Sequence, residues 1–185
     1  MDLLETIYTR RAIRDYREDA IPDDVLEAVL EDAVHAPSSN NRQAWSFLIV
    51  VGRDRLTRYS DAALATMPAE RSAVLRAHLE AGGSHGIFHN APALVIVCAT
   101  GDDPMVAQDC CIAGQTLMLA AHGKGLGTCW IGSADPWLAT PAAHAELAIP
   151  QGHIPVAPII IGYPRTIPEP TSRSHPQIRW IGKGD

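Results

Sequence analysis

The chain has 185 residues, 46% of them hydrophobic but only 5% aromatic, enough to bury one core through close-packed, alanine-rich helices. Its formal charge of −6, from 21 acidic against 15 basic side chains, argues against a nucleic-acid protein, whose domain would be basic. It holds no apolar run of about eighteen residues to span a membrane, and its N-terminus, MDLLETIYTRR, lacks the apolar core of a secretory signal.

Residues 2–10 read as a short helix with Leu3, Leu4, Ile7 and Tyr8 on one face. Next, Arg10, Arg11, Arg14 and Arg17 crowd into TRRAIRDYR. Such a cluster is either a solvated basic surface or an anion clamp. Ile13 and Tyr16 interleave with it and must tether it to a core, and guanidinium groups suit bidentate capture of a phosphate monoester. Pro22 and two acids start a helix that runs to about His35, with Val25, Leu26, Val29, Leu30, Ala33 and Val34 as its apolar face.

The segment APSSNNRQAW (36–45) is a polar loop before SFLIVV (46–51), which reads as a buried strand. Its Ser, Asn and Gln side chains both donate and accept hydrogen bonds. That inventory suits a heterocycle edge, such as a flavin pyrimidine or ribityl chain, and equally suits an ordinary turn. Residues 54–66 and 69–81 look helical, parted by Met67-Pro68; the second is weakly amphipathic, with Arg71, Arg76, His78 and Glu80. His85 and His89 stand four apart but flank a glycine and precede Pro92, so no metal site is expected there. ALVIVCA (93–99) reads as a second buried strand.

The chain is organised around MVAQDCCIAGQTLMLAAHGKGLGTCWIG (105–132). Val106, Cys110, Ala113, Leu117 and Ala121 share one side at helical spacing, while Cys111, Ile112, Met118 and Leu119 cover much of the rest. A helix apolar nearly all round is expected to be buried on most sides. At roughly 27 Å it would cross a small domain as a central rod, capped by Asp102-Asp103, with Pro104 in its first turn and Gly123 and Gly125 at its end. Gly114 would admit a close neighbour. The glycines of GLGTCWIG would let backbone amides approach a flat ligand.

Further on, a short helix near Ala142 to Leu147 is followed by a strand from Val156 to Ile161. Pro158 places that strand at an edge or delays its start. The last twenty residues are Pro-rich and polar, yet Ile178, Trp180 and Ile181 could dock. The simplest expectation is an arm that finishes another subunit's sheet. Of the cysteines, Cys98, Cys110, Cys111 and Cys129, none forms a CxxC pair. Buried, reduced thiols in the cytoplasm are expected, rather than zinc or an iron–sulfur cluster.

Four of these stretches, in this order, resemble the nitroreductase-like flavoprotein family: RRAIRDY its RRSxR phosphate segment, APSSNNRQAWSFLIV its PSxxNxQPW loop and strand, DCCIAGQTLMLAAHGKGLGTCWIG its central helix and GLGxCWIG turn, and APIIIGYP with the following tail its last strand and arm. The resemblance implies an α+β fold, a mixed sheet flanked by helices around a buried central helix, in an intertwined homodimer. It implies a single domain over 1–185, with 165–185 as an arm on the partner, and FMN at the interface. Arg10, Arg11, Ala12 and Arg14 would meet the phosphate from one subunit, with Arg173 added from the tail. Pro37, Ser38, Ser39 and Asn41 of the other would line the ribityl chain and ring. Ile131, Gly132 and Ser133 would approach flavin N5. Ala12 stands where the family often has Ser, and Ala44 where it has Pro. The implied activity is ping-pong transfer of two electrons from NAD(P)H through flavin N5 to a nitroaromatic, quinone or similar acceptor, with no catalytic side chain and no metal. Kindred activities are a flavin-cleaving 5,6-dimethylbenzimidazole synthase and a reductive dehalogenase; a non-catalytic flavin-binding or redox-sensing module is the rival from another class. No GxGxxG fingerprint is present, which fits a nicotinamide that visits rather than resides.

Overall fold

A computed structural model describes residues 2–84 and 86–182. Two helices come first: α1 (Leu3–Thr9), capped by the Asp2 carboxylate, which accepts from Glu5 N at 2.8 Å, and α2 (Asp23–Ala33), which follows Pro22. Strand β1 (Trp45–Val51) leads to the hairpin α3 (Arg53–Ala65) and α4 (Ala69–Ala81), split at Met67-Pro68 as the sequence predicts. Strand β2 (Ala93–Thr100) precedes the long helix α5 (Pro104–Gly123). Asp103 caps α5 by accepting from Met105 N at 2.9 Å, with Pro104 in the first turn, where its missing N–H costs nothing. Then come β3 (Gly127–Trp130), a 3₁₀ turn (Gly132–Ala134), α6 (Asp135–Leu138), α7 (Pro141–Glu146) and β4 (His153–Gly162).

Among the described residues the four strands form one sheet in the order β1-β2-β4-β3, antiparallel at every named pair. The α+β class with flanking helices stands. The mixed character of the sheet is confined to one isolated parallel bridge, Ala12 to Thr128. Strand periodicity divides the core. Val95, Val97, Ile159 and Ile161 face α2 and α5, while Leu94, Ile96 and Ile160 face α3, α6 and α7. Gly114 lets α5 lie close to the sheet, since a Cβ there would meet Ala157 Cβ and Ile159 Cδ1 at 3.3 Å.

Four expectations need correction. SFLIVV is an edge strand, half-buried, with Ile49 and Val51 exposed. β4 is interior despite Pro155 and Pro158: Pro158 O accepts from Ile131 N at 2.8 Å, so its missing donor faces the end of the short β3, and the β2–β4 register shifts between Val97 and Cys98. α5 is buried on the sheet side only: Met105, Cys111 and Ile112 are exposed, because one sheet face and α2 cannot surround a helix. Cys111 therefore departs from the expectation of buried thiols, whereas Cys98, Cys110 and Cys129 are buried. In the tail, residues 165–182 hold no helix or strand in this chain, and Ile178 and Trp180 are exposed. No helix among the described residues is long and apolar enough to cross a membrane.

Candidate functional site

After α1 the chain leaves helical geometry and runs along the end of the sheet. Ile13 N donates to Thr128 O at 2.9 Å, and Arg17 N to Tyr163 O at 2.9 Å. Ile13 and Tyr16 plug this segment into the core at 4% and 3% exposure, and Tyr16 donates its hydroxyl to Ile13 O at 2.7 Å. Two glycines make room for them. Gly127 and Gly162 face each other across β3 and β4. A Cβ on Gly127 would lie 2.5 Å from Ile13 Cγ1, and one on Gly162 2.7 Å from Tyr16 Cδ1. The first glycine of GTCWIG thus serves packing against Ile13, rather than the amide-to-ligand approach expected from sequence.

Tethered this way, the arginines separate. Arg14 reaches into a cavity of about 400 Å³ whose floor is Ile131, Gly132 and Ser133. Arg10 and Arg11 stay half-buried near the C-terminal end of α5, where a 2.8 Å hydrogen bond joins Thr9 Oγ1 to His122 Nε2. Burial first, then Arg10 and Arg11, hold the His122 pKa below its usual value. Arg11 turns one nitrogen onto the carbonyls of Tyr8 and Arg10, each at 2.8 Å, closing the end of α1. Its Nε, and the hydroxyl of Thr128 opposite Ala12, are buried without a hydrogen-bond partner. An unmet buried donor costs about 1–3 kcal/mol, so orphan donors beside several guanidinium groups suit an oxyanion such as a phosphate.

The 3₁₀ turn uses Ala134 N to Ile131 O (3.0 Å) and Asp135 N to Gly132 O for its own closure, leaving the amides of Gly132 and Ser133 outside that pattern. The opposite wall of the cavity is α4, through Leu75, His78 and Leu79, together with Ile87 and His89. The sequence points to a lid from about residues 60–90, which contains these side chains, but marks no diagnostic residue within it. The only trace was the spacing of Arg71, Leu75 and His78 on one helical face. His89 has φ +50°, an uncommon conformation outside glycine that His and Asn tolerate. Burial, then the charges of Arg14 and His78, push its pKa down to about 4. Because the folded pKa lies below the unfolded value near 6.5, the unfolded chain binds the extra proton. Stability is therefore lost as pH falls from about 6.5 toward 4. His89→Asn, which keeps the backbone conformation, is expected to flatten the dependence of Tm on pH between about 6.5 and 5, above the carboxylate range; an unchanged slope there would refute this role of His89.

A neighbouring cavity of about 430 Å³ shares Arg14 and His89. Two of its cations are spent on backbone: Arg53 donates to Asn90 O at 3.0 Å and Glu18 O at 3.1 Å, and Arg165 to Tyr16 O at 3.1 Å. They brace the segment carrying Arg14.

The loop of Pro37, Ser38, Ser39 and Asn41 lies elsewhere in the chain. Ser39 N donates to both oxygens of the buried Asp109 carboxylate at 3.1 Å, and Arg42 pairs with Asp103 at 2.7 Å. Ser38 Oγ accepts from Gln43 N at 3.0 Å. Asn40, Asn41 and Gln43 hold φ of 52°, 54° and 49°, so the asparagines satisfy a turn requirement whatever else they do. The loop is thus fixed to the N-terminal half of α5, and the arginines to its far end. Asp109 and His122 are separated by roughly 20 Å along that helix. Arg14 comes together with Ile131, Gly132 and Ser133 within one chain, while Arg10 and Arg11 lie beside His122 and Ala12 pairs with Thr128; the Pro37–Asn41 loop does not join them. Nor does Arg173, which is exposed and donates to Thr171 and Ser172 of its own tail. The His85 half of the histidine pair lies outside the described residues.

This geometry has close counterparts. The description of the nitroreductase family matches residues 7–163. A 5,6-dimethylbenzimidazole synthase of Rhodospirillum rubrum is 33% identical over 198 residues, covering 92% of this chain and 90% of its own. An NADH dehydrogenase of Thermus thermophilus is 29% identical over 194 residues, covering 94% and 92%. The crystal structure of a Bacteroides fragilis nitroreductase with bound FMN superposes with a TM-score of 0.84 at 26% identity, over 98% of this chain and 99% of that one. With arginine segment, glycine rung, central helix and family match all in the same stretch of sequence, the chain belongs to the nitroreductase family.

Proposed function

We propose that this protein is an FMN-dependent oxidoreductase that moves two electrons from NAD(P)H to a nitroaromatic, quinone or similar electron-poor acceptor. The observation that carries the reading is the convergence of Arg14 and the Ile131–Ser133 turn on one cavity, beside the unmet donors of Arg11 and Thr128. The Bacteroides fragilis nitroreductase of the same fold is described with bound FMN. Bound there, FMN would supply the two-electron redox chemistry between donor and acceptor. The chain supplies position and electrostatics. Arg10, Arg11 and Arg14 would hold its anionic end, Ala12 giving only backbone. Gly132 and Ser133 would offer amide donors to its ring, where a donor favours developing negative charge. Leu75, Leu79 and Ile87 give the cavity an apolar wall. In net terms NAD(P)H gives a hydride and solvent a proton, so that a quinone becomes a hydroquinone, or a nitro group becomes nitroso plus water, while NAD(P)H becomes NAD(P)⁺. Donor and acceptor visit the same place in turn, which is ping-pong order.

The site is completed by a second copy of the chain. Leu3, Leu4, Ile7 and Tyr8 of α1 are exposed, as are Met105 and Ile112 of α5. Apolar surface on two adjacent helices marks an interface. A two-fold partner laid along α5 brings its Pro37, Ser38, Ser39 and Asn41 to the arginine end of the first chain, and its 165–185 arm, with Arg173, across the same boundary. A cytoplasmic location follows from the nicotinamide donor.

The test is the absorption spectrum of the purified protein. It should be yellow, and excess NAD(P)H should bleach it without air. Colourless protein that takes up no added FMN would sink the proposal. The 33% identity to a 5,6-dimethylbenzimidazole synthase favours one second reading, flavin cleavage; a new aromatic product from reduced flavin and oxygen would establish it. A thiol-based sensor is the weaker rival, because burial pushes the Cys110 thiol up to about 12, leaving it protonated.

A further inference from the structure

One face of α4 continues the cavity outward. Arg71, Val74, Leu75 and His78 line, with Glu70 and Ser133, an open groove of about 650 Å³ that shares Leu75, His78 and Ser133 with the inner cavity. Arg71 and His78 are two turns apart on the same side of the helix, with Val74 and Leu75 between them. Val74 is 72% exposed, a large apolar side chain covered by nothing among the described residues. Arg71 makes no ion pair among the described residues; the nearby Arg76 pairs with Asp61 at 3.7 Å instead. Among the described residues the one acid lining the groove is Glu70, against Arg71 on the groove and Arg14 in the cavity behind it.

We propose that the electron acceptor is an aromatic compound carrying an anionic substituent, a carboxylate or phenolate, with its ring on Val74 and Leu75 and its charge met by Arg71. This rests on the flavin reading above and names the substrate class for that site. The dimensions match. Side chains three or four residues apart on a helix are about 5–6 Å from one another, so a ring seated on Val74 and Leu75 has its substituent within reach of Arg71. His78, nearer the cavity, offers a second donor on the inner side.

Steady-state kinetics with 4-nitrobenzoate and its neutral counterpart 4-nitrobenzamide test the assignment, on wild type and Arg71→Gln. Arg71→Gln should raise KM for the benzoate about fivefold, the modest size expected of a solvent-exposed charge contact, and leave the benzamide and NAD(P)H constants unchanged. Calorimetric titration of the purified protein with benzoate and benzamide gives a second readout: benzoate should bind more tightly, and the preference should vanish in Arg71→Gln. Equal effects of the substitution on both acceptors, no preference for benzoate in wild type, or a change confined to the NAD(P)H constant would each overturn the proposal, the last by assigning Arg71 to the donor. A colourless protein overturns the flavin reading itself, whereas a yellow protein bleached by NAD(P)H that ignores acceptor charge overturns only the acceptor class.

Discussion

Two chains, each disabled in a different half of the site, are expected to restore one working site when they pair. One chain carries Arg10→Ala with Arg14→Ala; the other carries Pro37→Trp, which sets a bulky ring in the exposed loop. Each variant alone should bind FMN on the order of 100-fold or more weakly, since charge-assisted hydrogen bonds contribute about 1.5–3 kcal/mol each and two are removed in the first chain. In a mixed dimer isolated through two different tags, both lesions fall on one site and the other site is intact. One FMN per mixed dimer is the expected stoichiometry. If arginines and loop served the same site from a single chain, both sites of the mixed dimer would be damaged and none would fill. The prediction follows from the anchoring of the loop to Asp109 and of the arginine segment to Thr128 and Tyr163, which holds the halves apart at opposite ends of α5.

The glycine rung carries the second large effect. Gly127→Ala places a methyl 2.5 Å from Ile13 Cγ1 and 2.8 Å from Ile13 Cβ, and neither the buried Ile13 nor its backbone bond to Thr128 can give way freely. Overpacking of this kind costs about 1–3 kcal/mol, or a fall in Tm of several degrees, roughly 2–4 °C per kcal/mol for a chain of this size. FMN affinity should fall further than stability does, because the displaced residue is the immediate neighbour of Ala12 and Arg14. Gly162→Ala, which meets Pro92 and Tyr16 at 2.6–2.8 Å, should behave alike. Gly123→Ala, at a helix end where a Cβ meets nothing within 4 Å, is the control and should change neither quantity. A Gly127→Ala protein with wild-type Tm and flavin affinity would remove the rung from the account.

Much of this was legible locally. Val106, Cys110, Ala113, Leu117 and Ala121 declare α5 because three-to-four spacing needs no knowledge of the rest of the chain, and Asp103-Pro104 declare its start. ALVIVCA is apolar on both faces because β2 is covered on both. β4 was harder: its prolines speak for an edge, and only the three-dimensional pairing shows that Pro158 turns its nitrogen toward the end of the short β3, where little pairing is lost. The exposed side of α5 was misjudged for a related reason. Apolar side chains signal that something covers a surface, without saying whether the cover is the same chain or another.

The site divides along the same line. Residue chemistry alone pointed to the Arg10, Arg11 and Arg14 cluster and left the 36–45 loop open between a ligand edge and an ordinary turn; the roles of Pro37, Ser38, Ser39, Asn41 and Ile131–Ser133 came from the resemblance to the family. Neither could tell that Arg11 closes α1, that Gly127 exists for Ile13, or that His89 and the Arg71–His78 face of α4 border the cavity.

What the amino-acid order determined by itself was the set of elements and the anion-seeking chemistry, because hydrophobic period, capping and charge act between near neighbours. What only the tertiary structure decided was which of those chemistries share a cavity and which lie at opposite ends of α5. Such partnerships join residues more than a hundred positions apart, as Ile13 with Thr128 and Tyr16 with Pro164, and are set by strand pairing and steric fit that no local pattern encodes.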